Sequence, residues 1–203
     1  MKKIFLTLIL CSFAGAMFAQ GARFGITAGL NVSNQTSKMG SVSTSEDWKA
    51  GFQAGVFMDY AISPNLSLIP ELLFAQRGYK MSTDILGETY SENTTLNYLQ
   101  LPINLAYKFD VSNGQKLFPF AGIYLGYALS GTSKSGSESE KITLGSGADQ
   151  MNALDYGVNL GLGYEYSNIV FKVQYNLGLA NLANVDGVSV KNNNVAVTVG
   201  YMF

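Results

Sequence analysis

The sequence predicts an all-β fold: an eight-stranded antiparallel up-and-down transmembrane β-barrel preceded by a cleaved signal peptide. Three observations support this prediction. Apolar and small or polar residues alternate at a period of two in eight separate stretches, which is typical of strands with two unlike faces. Short turns alternate with long polar connections along the chain. Charged residues make up only 13% of the 203 residues, about half the roughly 25% usual in globular domains.

The first twenty residues have the pattern of a secretory signal peptide. Two lysines follow the initiating Met, an apolar run extends from Ile4 to Phe18, and small residues lie near its end. We expect cleavage close to residue 20, which divides the chain into a signal peptide (1–20) and a barrel domain (21–203). A signal anchor and a lipoprotein acylated at Cys11 are the alternatives, and the shortness of the run and the lack of a small residue before Cys11 disfavour them.

The composition excludes several classes of function. The chain has no His, so a Ser-His-Asp triad and an imidazole metal site are impossible. Its single Cys lies in the predicted signal peptide, so the mature chain has neither disulfides nor thiolate chemistry. The mature chain has 11 basic and 14 acidic residues, a net charge of −3, which lacks the basic footprint of nucleic-acid binding. We expect no cofactor, no metal and no nucleic acid.

Each predicted strand places its apolar side chains at alternate positions. The most regular stripe runs from Leu99 to Phe109, and its ten steps of about 3.3 Å span on the order of 25 Å when the strand is tilted by about 40°. That height matches the apolar band of a bilayer. The eight stripes are Phe24–Val32, Phe52–Tyr60, Leu68–Phe74, Leu99–Phe109, Ala121–Leu129, Tyr156–Tyr166, Ile169–Leu177 and Val195–Phe203.

The connections differ in length on the two sides of the predicted barrel. Short turns are expected at 63–65, 110–115 and 167–168, and long polar loops at 34–50, 79–96, 131–152 and 180–194. The segment 131–147, dense in Ser and Gly, is interpreted as a mobile external loop. Short turns at one end and long loops at the other are typical of transmembrane barrels.

Alternation alone leaves open which face points outward, so a soluble lipocalin-like barrel with an apolar pocket is an alternative. Glycine favours the membrane barrel, because ten glycines lie on the less apolar face, where a narrow interior needs small residues. The apolar face also carries aromatic residues near both ends, as expected of two interfacial girdles. These girdle positions are Phe24, Tyr60, Tyr107, Phe109, Tyr164, Tyr166, Phe171, Tyr201 and Phe203 at the short-turn end, and Phe52, Phe74, Tyr127, Tyr156 and Tyr175 at the other.

A barrel in lipid has to close, because an open sheet edge would leave backbone groups without partners. The first strand is therefore expected to pair with the eighth. Eight strands leave room for side chains in the lumen but not for an aqueous pore. The predicted interior contains charged residues that need partners, so we expect paired networks in which Glu71 and Arg77 take part. These interior residues are Asp59, Glu71, Arg77, Lys108, Asp155, Glu165 and Lys172.

No residue pattern supports a catalytic, cofactor-binding or metal site. Asp155 and Glu165 could form a glycosidase-like carboxylate pair, but they lie ten residues apart on one strand, so structural ion pairs are the favoured interpretation. The glycine run from Gly157 to Gly163 lacks the spacing and the following helix of a nucleotide-binding turn. Trp48, the only tryptophan, is either part of a recognition patch in the first long loop or an anchor beside the girdle.

Several segments together resemble the PorT-like outer-membrane β-barrel family of Bacteroidetes. They are the Phe-Ala-Gln that ends the leader and the runs Phe24–Asn31, Pro70–Phe74, Tyr98–Pro102 and Gly200–Phe203. The resemblance covers essentially the whole mature chain. It implies an eight-stranded barrel in the outer membrane of a Gram-negative cell, in contact with outer-membrane lipid and lipopolysaccharide. It also implies insertion by the barrel-assembly machinery, with the C-terminal Phe203 as the assembly signal and the N-terminus in the periplasm.

The functional expectation is a non-enzymatic barrel that displays four extracellular loops. It would act as a membrane scaffold, an adhesion surface or an accessory to an envelope or secretion complex. One alternative is a lipid-modifying enzyme on the same fold, using Ser, Asp or Glu chemistry. The other is the soluble ligand-binding barrel.

Overall fold

The computed structural model describes residues 21–85, 88–112, 114–136, 138–147, 150–185 and 187–203, so the predicted signal peptide lies outside the described residues. Within them, no helix is long and apolar enough to span a membrane. The described chain forms strands β1 (Arg23–Met39), β2 (Val42–Ser45), β3 (Asp47–Ala61), β4 (Leu66–Ile85), β5 (Glu88–Tyr107), β6 (Phe109–Ser112), β7 (Gln115–Ser135), β8 (Glu138–Ile142), β9 (Leu154–Tyr166), β10 (Ile169–Gly178) and β11 (Val188–Met202).

Eight long strands form a closed antiparallel barrel. They follow one another in the order β1, β3, β4, β5, β7, β9, β10 and β11, each paired with its neighbours. The first and last strands pair from Gly25 opposite Met202 to Met39 opposite Val188, which closes the sheet. The predicted eight-stranded up-and-down architecture and its closure are confirmed. Of the three short strands, β6 extends the β5 side of the barrel along β7, while β2 and β8 form hairpins with β1 and β7.

The apolar face points outward, as the sequence predicts. In β10, every odd position from Ile169 to Leu177 is exposed and every even position is buried. Leu160 is 66% exposed and Leu30 is 72% exposed, which in lipid is favourable burial against acyl chains. The soluble lipocalin-like alternative requires these side chains to line a cavity, so the geometry contradicts it. Met58 is an exception, since it lies on the outward face but is only 8% exposed.

Glycine in the lumen makes room for aromatic rings. A Cβ added to Gly163 would lie 2.1 Å from the Phe118 ring, and one added to Gly161 would lie 2.3 Å from the Phe120 ring. Neither distance is sterically possible without movement. The glycine run on β9 therefore reflects crowding inside the barrel rather than a nucleotide-binding turn.

The long connections differ most from the sequence prediction. The stretches predicted as loops are largely strand: β1 continues to Met39, β4 to Ile85 and β7 to Ser135, while β5 begins at Glu88 and β11 at Val188. The prediction of a mobile loop at 131–147 is wrong over most of its length, because β7 and β8 form a hairpin there. These extensions rise beyond the apolar band, where the outward face meets water rather than lipid and the sequence loses its apolar alternation.

The short turns agree better with the prediction. The turns at 63–65 and 167–168 are confirmed, and Ser167 adopts a positive φ of 54°. The turn predicted at 110–115 is shorter, since β6 extends to Ser112 and β7 begins at Gln115. All three turns lie at the end of the barrel opposite the strand extensions.

Candidate functional site

The lumen at the short-turn end contains a layer of four charged side chains. Arg23 donates from Nη1 to Glu165 Oε1 and from Nη2 to Asp59 Oδ2, both at 2.6 Å. Lys108 Nζ lies 2.9 Å from Glu165 Oε2 and also pairs with Asp59. The four groups come from different parts of the barrel wall and sum to zero charge. Because a buried charge is costly without a partner, this closed layer ties the wall together and seals the end.

A second ion pair lies deeper in the lumen. Lys172 Nζ is 2.5 Å from Glu71 Oε1, and the same carboxylate accepts a hydrogen bond from Asn104 at 3.3 Å. From Asn104 a ladder of amide side chains continues through Asn159 and Asn176 to Asn194, with hydrogen bonds of 3.0 Å from Asn159 to Asn104 and from Asn194 to Asn176. These contacts link β5, β9, β10 and β11 across the interior.

A third layer is centred on Arg77, which is 2% exposed. Its Nη2 donates to Gln100 Oε1 at 2.7 Å, and its Nη1 lies 3.5 Å from Asp155 Oδ2. The guanidinium also lies 5.2 Å from the centre of the Tyr124 ring, within the range of a cation–π interaction. Asn192 donates to Asp155 at 3.0 Å. Arg77 therefore holds several strands in one arrangement.

These layers confirm the predicted interior and its paired networks. Glu71 and Arg77 both take part, with Lys172 and Asp155 as their partners. The sequence could not supply these partners, because they lie across the barrel rather than on neighbouring strands. Arg23 was missed as a lumen residue because it precedes the first regular alternation.

Little space remains between the layers. A void of about 10 Å³ lies among Phe57, Phe118 and the charged groups near the short-turn end. Its volume is at most that of one water molecule. Asp155 and Glu165 belong to separate ion-paired layers, so they do not form a catalytic carboxylate pair. Within the described residues, no group of three or more Asp, Glu, His or Cys side chains could hold a metal ion.

Above the Arg77 layer, the strand extensions surround an open cavity of about 420 Å³. We call it the mouth cavity. Asn184 fixes two of the segments around it, donating from Nδ2 to Gly145 O at 2.8 Å and to Gln150 O at 2.9 Å. The wall combines polar and apolar side chains. It is formed by Gln35, Tyr79, Glu92, Thr94, Ser133, Ile142, Gln150, Met151, Leu182, Ala183, Asn184, Val185 and Val190.

Glu92 lines this cavity, and its charge acts on Glu46 of the neighbouring strand extensions. Glu92 accepts a hydrogen bond from Ser133 at 2.5 Å. Burial raises the pKa of Glu46 above its ordinary value, and the nearby charges of Asp47 and Glu92 raise it further. Trp48 lies on β3 rather than in a loop, in register with Tyr79 and about half exposed. The mouth cavity was not predicted, because it depends on how the strand extensions meet in space.

A closed antiparallel barrel with an apolar exterior and a sealed polar interior is the architecture of an integral outer-membrane barrel. The chain belongs to the family described as the outer membrane protein β-barrel domain, whose family model matches residues 18–184. This membership supports a location in the outer membrane. The match ends before β11, the strand that completes the barrel in the structure.

Solved structures of similar fold include other outer-membrane barrels. The attachment invasion locus protein Ail of Yersinia pestis is 16% identical with a TM-score of 0.45, over 90% of this chain and 99% of that chain. Neisserial surface protein A is 16% identical with a TM-score of 0.48, also over 90% and 99%. A major outer membrane protein of Thermus thermophilus is 14% identical with a TM-score of 0.47, over 90% and 100%. No curated protein matches the chain.

Proposed function

We propose that this chain is a non-enzymatic outer-membrane barrel that acts through the surface of its strand extensions, as a scaffold, an adhesion surface or an accessory to an envelope or secretion complex. The observation that carries the proposal is the contrast between the two ends of the barrel. The charged groups in the lumen are ion-paired in closed layers from the short-turn end up to Arg77. The end with the strand extensions has an open cavity instead. The described lumen residues leave no open channel, and the lumen carboxylates Asp59, Glu71, Asp155 and Glu165 are held in ion pairs, so the accessible chemistry lies at the rim.

The proposal includes an orientation. The N-terminus would lie in the periplasm and the strand extensions outside the cell, in contact with lipid and lipopolysaccharide. The start of β1 and the end of β11 meet at the short-turn end, where the Phe203 amide donates to Phe24 O at 2.8 Å. The Phe203 side chain is 72% exposed and accessible to the barrel-assembly machinery. Within the family, we place the chain among the PorT-like barrels of Bacteroidetes, on the segments of resemblance described above.

The orientation can be tested with single cysteines, since the mature chain contains none. Ser43→Cys lies in the β2 hairpin and Pro64→Cys in a short turn, and both sites are exposed. A membrane-impermeant maleimide should label the Ser43→Cys variant in intact cells. It should label the Pro64→Cys variant only after the cells are permeabilised. The reverse pattern would overturn the orientation.

The non-enzymatic assignment is tested by incubating the purified barrel with labelled lipopolysaccharide. We expect the lipid to be recovered unchanged, and turnover would show the alternative lipid-modifying enzyme.

Crosslinking from the β2 and β8 hairpins in intact cells, followed by identification of what is captured, separates the three roles. An envelope protein supports an accessory, a host surface molecule supports an adhesin, and capture of nothing but lipid contradicts both.

A further inference from the structure

Two lysines lie in one cross-strand row on the strand extensions. Lys80 of β4 is opposite Asn93 of β5, and Asn93 is opposite Lys134 of β7. Two strand spacings place the Cα atoms of the lysines about 10 Å apart. Alternate residues of a strand share one face, so an even separation keeps two side chains on the same side of the sheet. Lys80 lies six positions from the lipid-facing Phe74, and Asn93 lies six positions from Leu99, so the row is on the outer face.

A third lysine approaches this row from β3. Lys49 is 8% exposed, and its ammonium group donates to Thr94 O at 3.0 Å and to Thr95 Oγ1. Burial lowers its pKa, and the charges of Lys80 and Lys134 lower it further. Three like charges therefore converge from three strands, which is unfavourable in the absence of an anion.

The described side chains provide no ion pair for this cluster. Asp47 is opposite Lys80 in the strand register, but it is exposed and makes no ion pair with it. Glu138 and Glu140 alternate along β8 with Ser139 and Lys141. Because Ser139 is opposite Lys134, the two glutamates belong to the other face of β8.

The same three strands carry an ordered series of side chains below the lysines. Phe74, Leu99 and Tyr127 mark the upper limit of the apolar band. Above them is an outward-facing amide and hydroxyl row, in which Gln76 Nε2 donates to Asn97 Oδ1 at 3.3 Å and Asn97 Nδ2 donates to Ser130 Oγ at 3.0 Å. Lys80 lies about 20 Å along the strand from Phe74, or about 15 Å in height at a tilt near 40°. A lysine side chain can reach back toward the membrane by several ångströms.

We propose that this face of β4, β5 and β7 binds a phosphorylated glycolipid of the outer leaflet. Acyl chains would pack on the apolar band, sugar hydroxyls would meet the amide and hydroxyl row, and phosphate would be held by Lys80 and Lys134, with Lys49 adding positive charge. The inference deepens the proposed function, since it rests on the strand extensions lying in the outer leaflet. A free anion would use only the lysines and leave the two lower levels without a role.

The test compares two double variants of the refolded barrel in detergent micelles. The first variant, Lys80→Gln/Lys134→Gln, removes the charged row. The control variant, Lys38→Gln/Lys191→Gln, removes two rim lysines elsewhere, the exposed Lys38 on β1 and the half-exposed Lys191 on β11. Native mass spectrometry measures binding of diphosphorylated lipid A, its dephosphorylated form, phosphatidylglycerol and inorganic phosphate. The first variant should weaken binding of diphosphorylated lipid A about 30-fold, as expected for two lysine contacts with anionic lipid. The control should change it by no more than about twofold.

Further comparisons make the result specific. Lys80→Arg/Lys134→Arg should retain binding, Asp47→Asn should strengthen it, and removal of the phosphates should abolish the difference between wild type and the first variant. The proposal is overturned if both glutamine variants weaken binding equally, or if phosphatidylglycerol or inorganic phosphate binds as tightly as diphosphorylated lipid A. Binding in micelles does not depend on orientation in cells, so failure here and failure of the cysteine-labelling experiment are distinguishable.

Discussion

At the short-turn end, Arg23 and Lys108 meet Asp59 and Glu165 in a closed layer, whereas at the opposite end Lys49, Lys80 and Lys134 converge without an ion-pairing carboxylate among the described side chains. Burial explains the difference. Inside the barrel an unpaired charge would lose its hydration without compensation, so cations and anions occur in matched numbers. At the rim, Lys80 and Lys134 are exposed, so water screens their charges, which persist without a carboxylate partner and remain available to an anion. Buried, paired charges therefore stabilise the fold, whereas exposed, unpaired charges can bind a partner.

The largest expected effect comes from removing one member of the closed layer. Lys108→Met leaves two buried carboxylates with Arg23 alone, so we expect the free energy of unfolding to fall by about 3–5 kcal/mol. Urea unfolding in lipid vesicles measures it. Lys116→Met is the control, because Lys116 and Asp110 form a partly exposed pair whose loss should cost at most about 1 kcal/mol. Equal losses in the two variants would contradict the contrast between buried and exposed charge.

A charge placed on the lipid-facing side should also be costly. Ile103 is opposite Ile123, near the middle of the apolar band. Ile103→Arg should lower the free energy of unfolding in vesicles by about 2–4 kcal/mol, whereas Ser130→Arg, above the band, should cost about 0–1 kcal/mol. Unfolding in vesicles at increasing urea gives both values. If Ile103→Arg folds as stably as wild type, the assignment of the outer face is wrong.

A smaller loss of stability is expected from adding a side chain to the crowded lumen. Gly163→Ala brings a methyl group against the Phe118 ring and should destabilise the barrel by about 1–3 kcal/mol. Gly126→Ala is the matched control, since its Cβ would have its nearest neighbour at 3.5 Å, an ordinary contact. Adding Phe118→Leu to Gly163→Ala should recover part of the loss. Absence of any recovery would show that the ring is not the cause.

The smallest expected effect is the pH-dependent contribution of Glu46, at the rim, to the free energy of unfolding. The pKa of Glu46 is raised in the folded state by burial and by Asp47 and Glu92. Its ionisation therefore opposes folding, and this destabilisation develops as the pH rises from the ordinary pKa through the raised one. Glu46→Gln should be slightly more stable than wild type near pH 7 and equal to it near pH 3. Urea unfolding at the two pH values measures the difference, and the opposite sign would contradict the assignment.

Much of the barrel could be predicted from the sequence because lipid imposes a strict pattern on each strand. The stripe from Leu99 to Phe109 gave both the outward face and the height of the band. The prediction failed where lipid is absent, as in β7 from Gly131 to Ser135, since an outward face in water need not be apolar. It also missed local irregularities such as the bulge that places Leu129 between the Asn97–Ser130 and Tyr98–Ala128 pairs.

The site was less predictable than the fold. The sequence identifies Glu71 and Arg77 as interior charges, but their partners depend on strand stagger and on distances across the lumen. Lys49, Lys80 and Lys134 are far apart in sequence and lie in segments that the sequence predicts as loops. Only the register of β3, β4, β5 and β7 brings them together.

The pairing of β1 with β11 has a consequence for biogenesis. Strand β11 supplies the hydrogen-bonding partner for β1, so a nascent or truncated chain that ends before Val188 has two unsatisfied edges. Such edges are not tolerated in hydrocarbon. Insertion is therefore expected to be an all-or-none event that requires β1 and β11 together, and fragments that lack β11 should fail to insert.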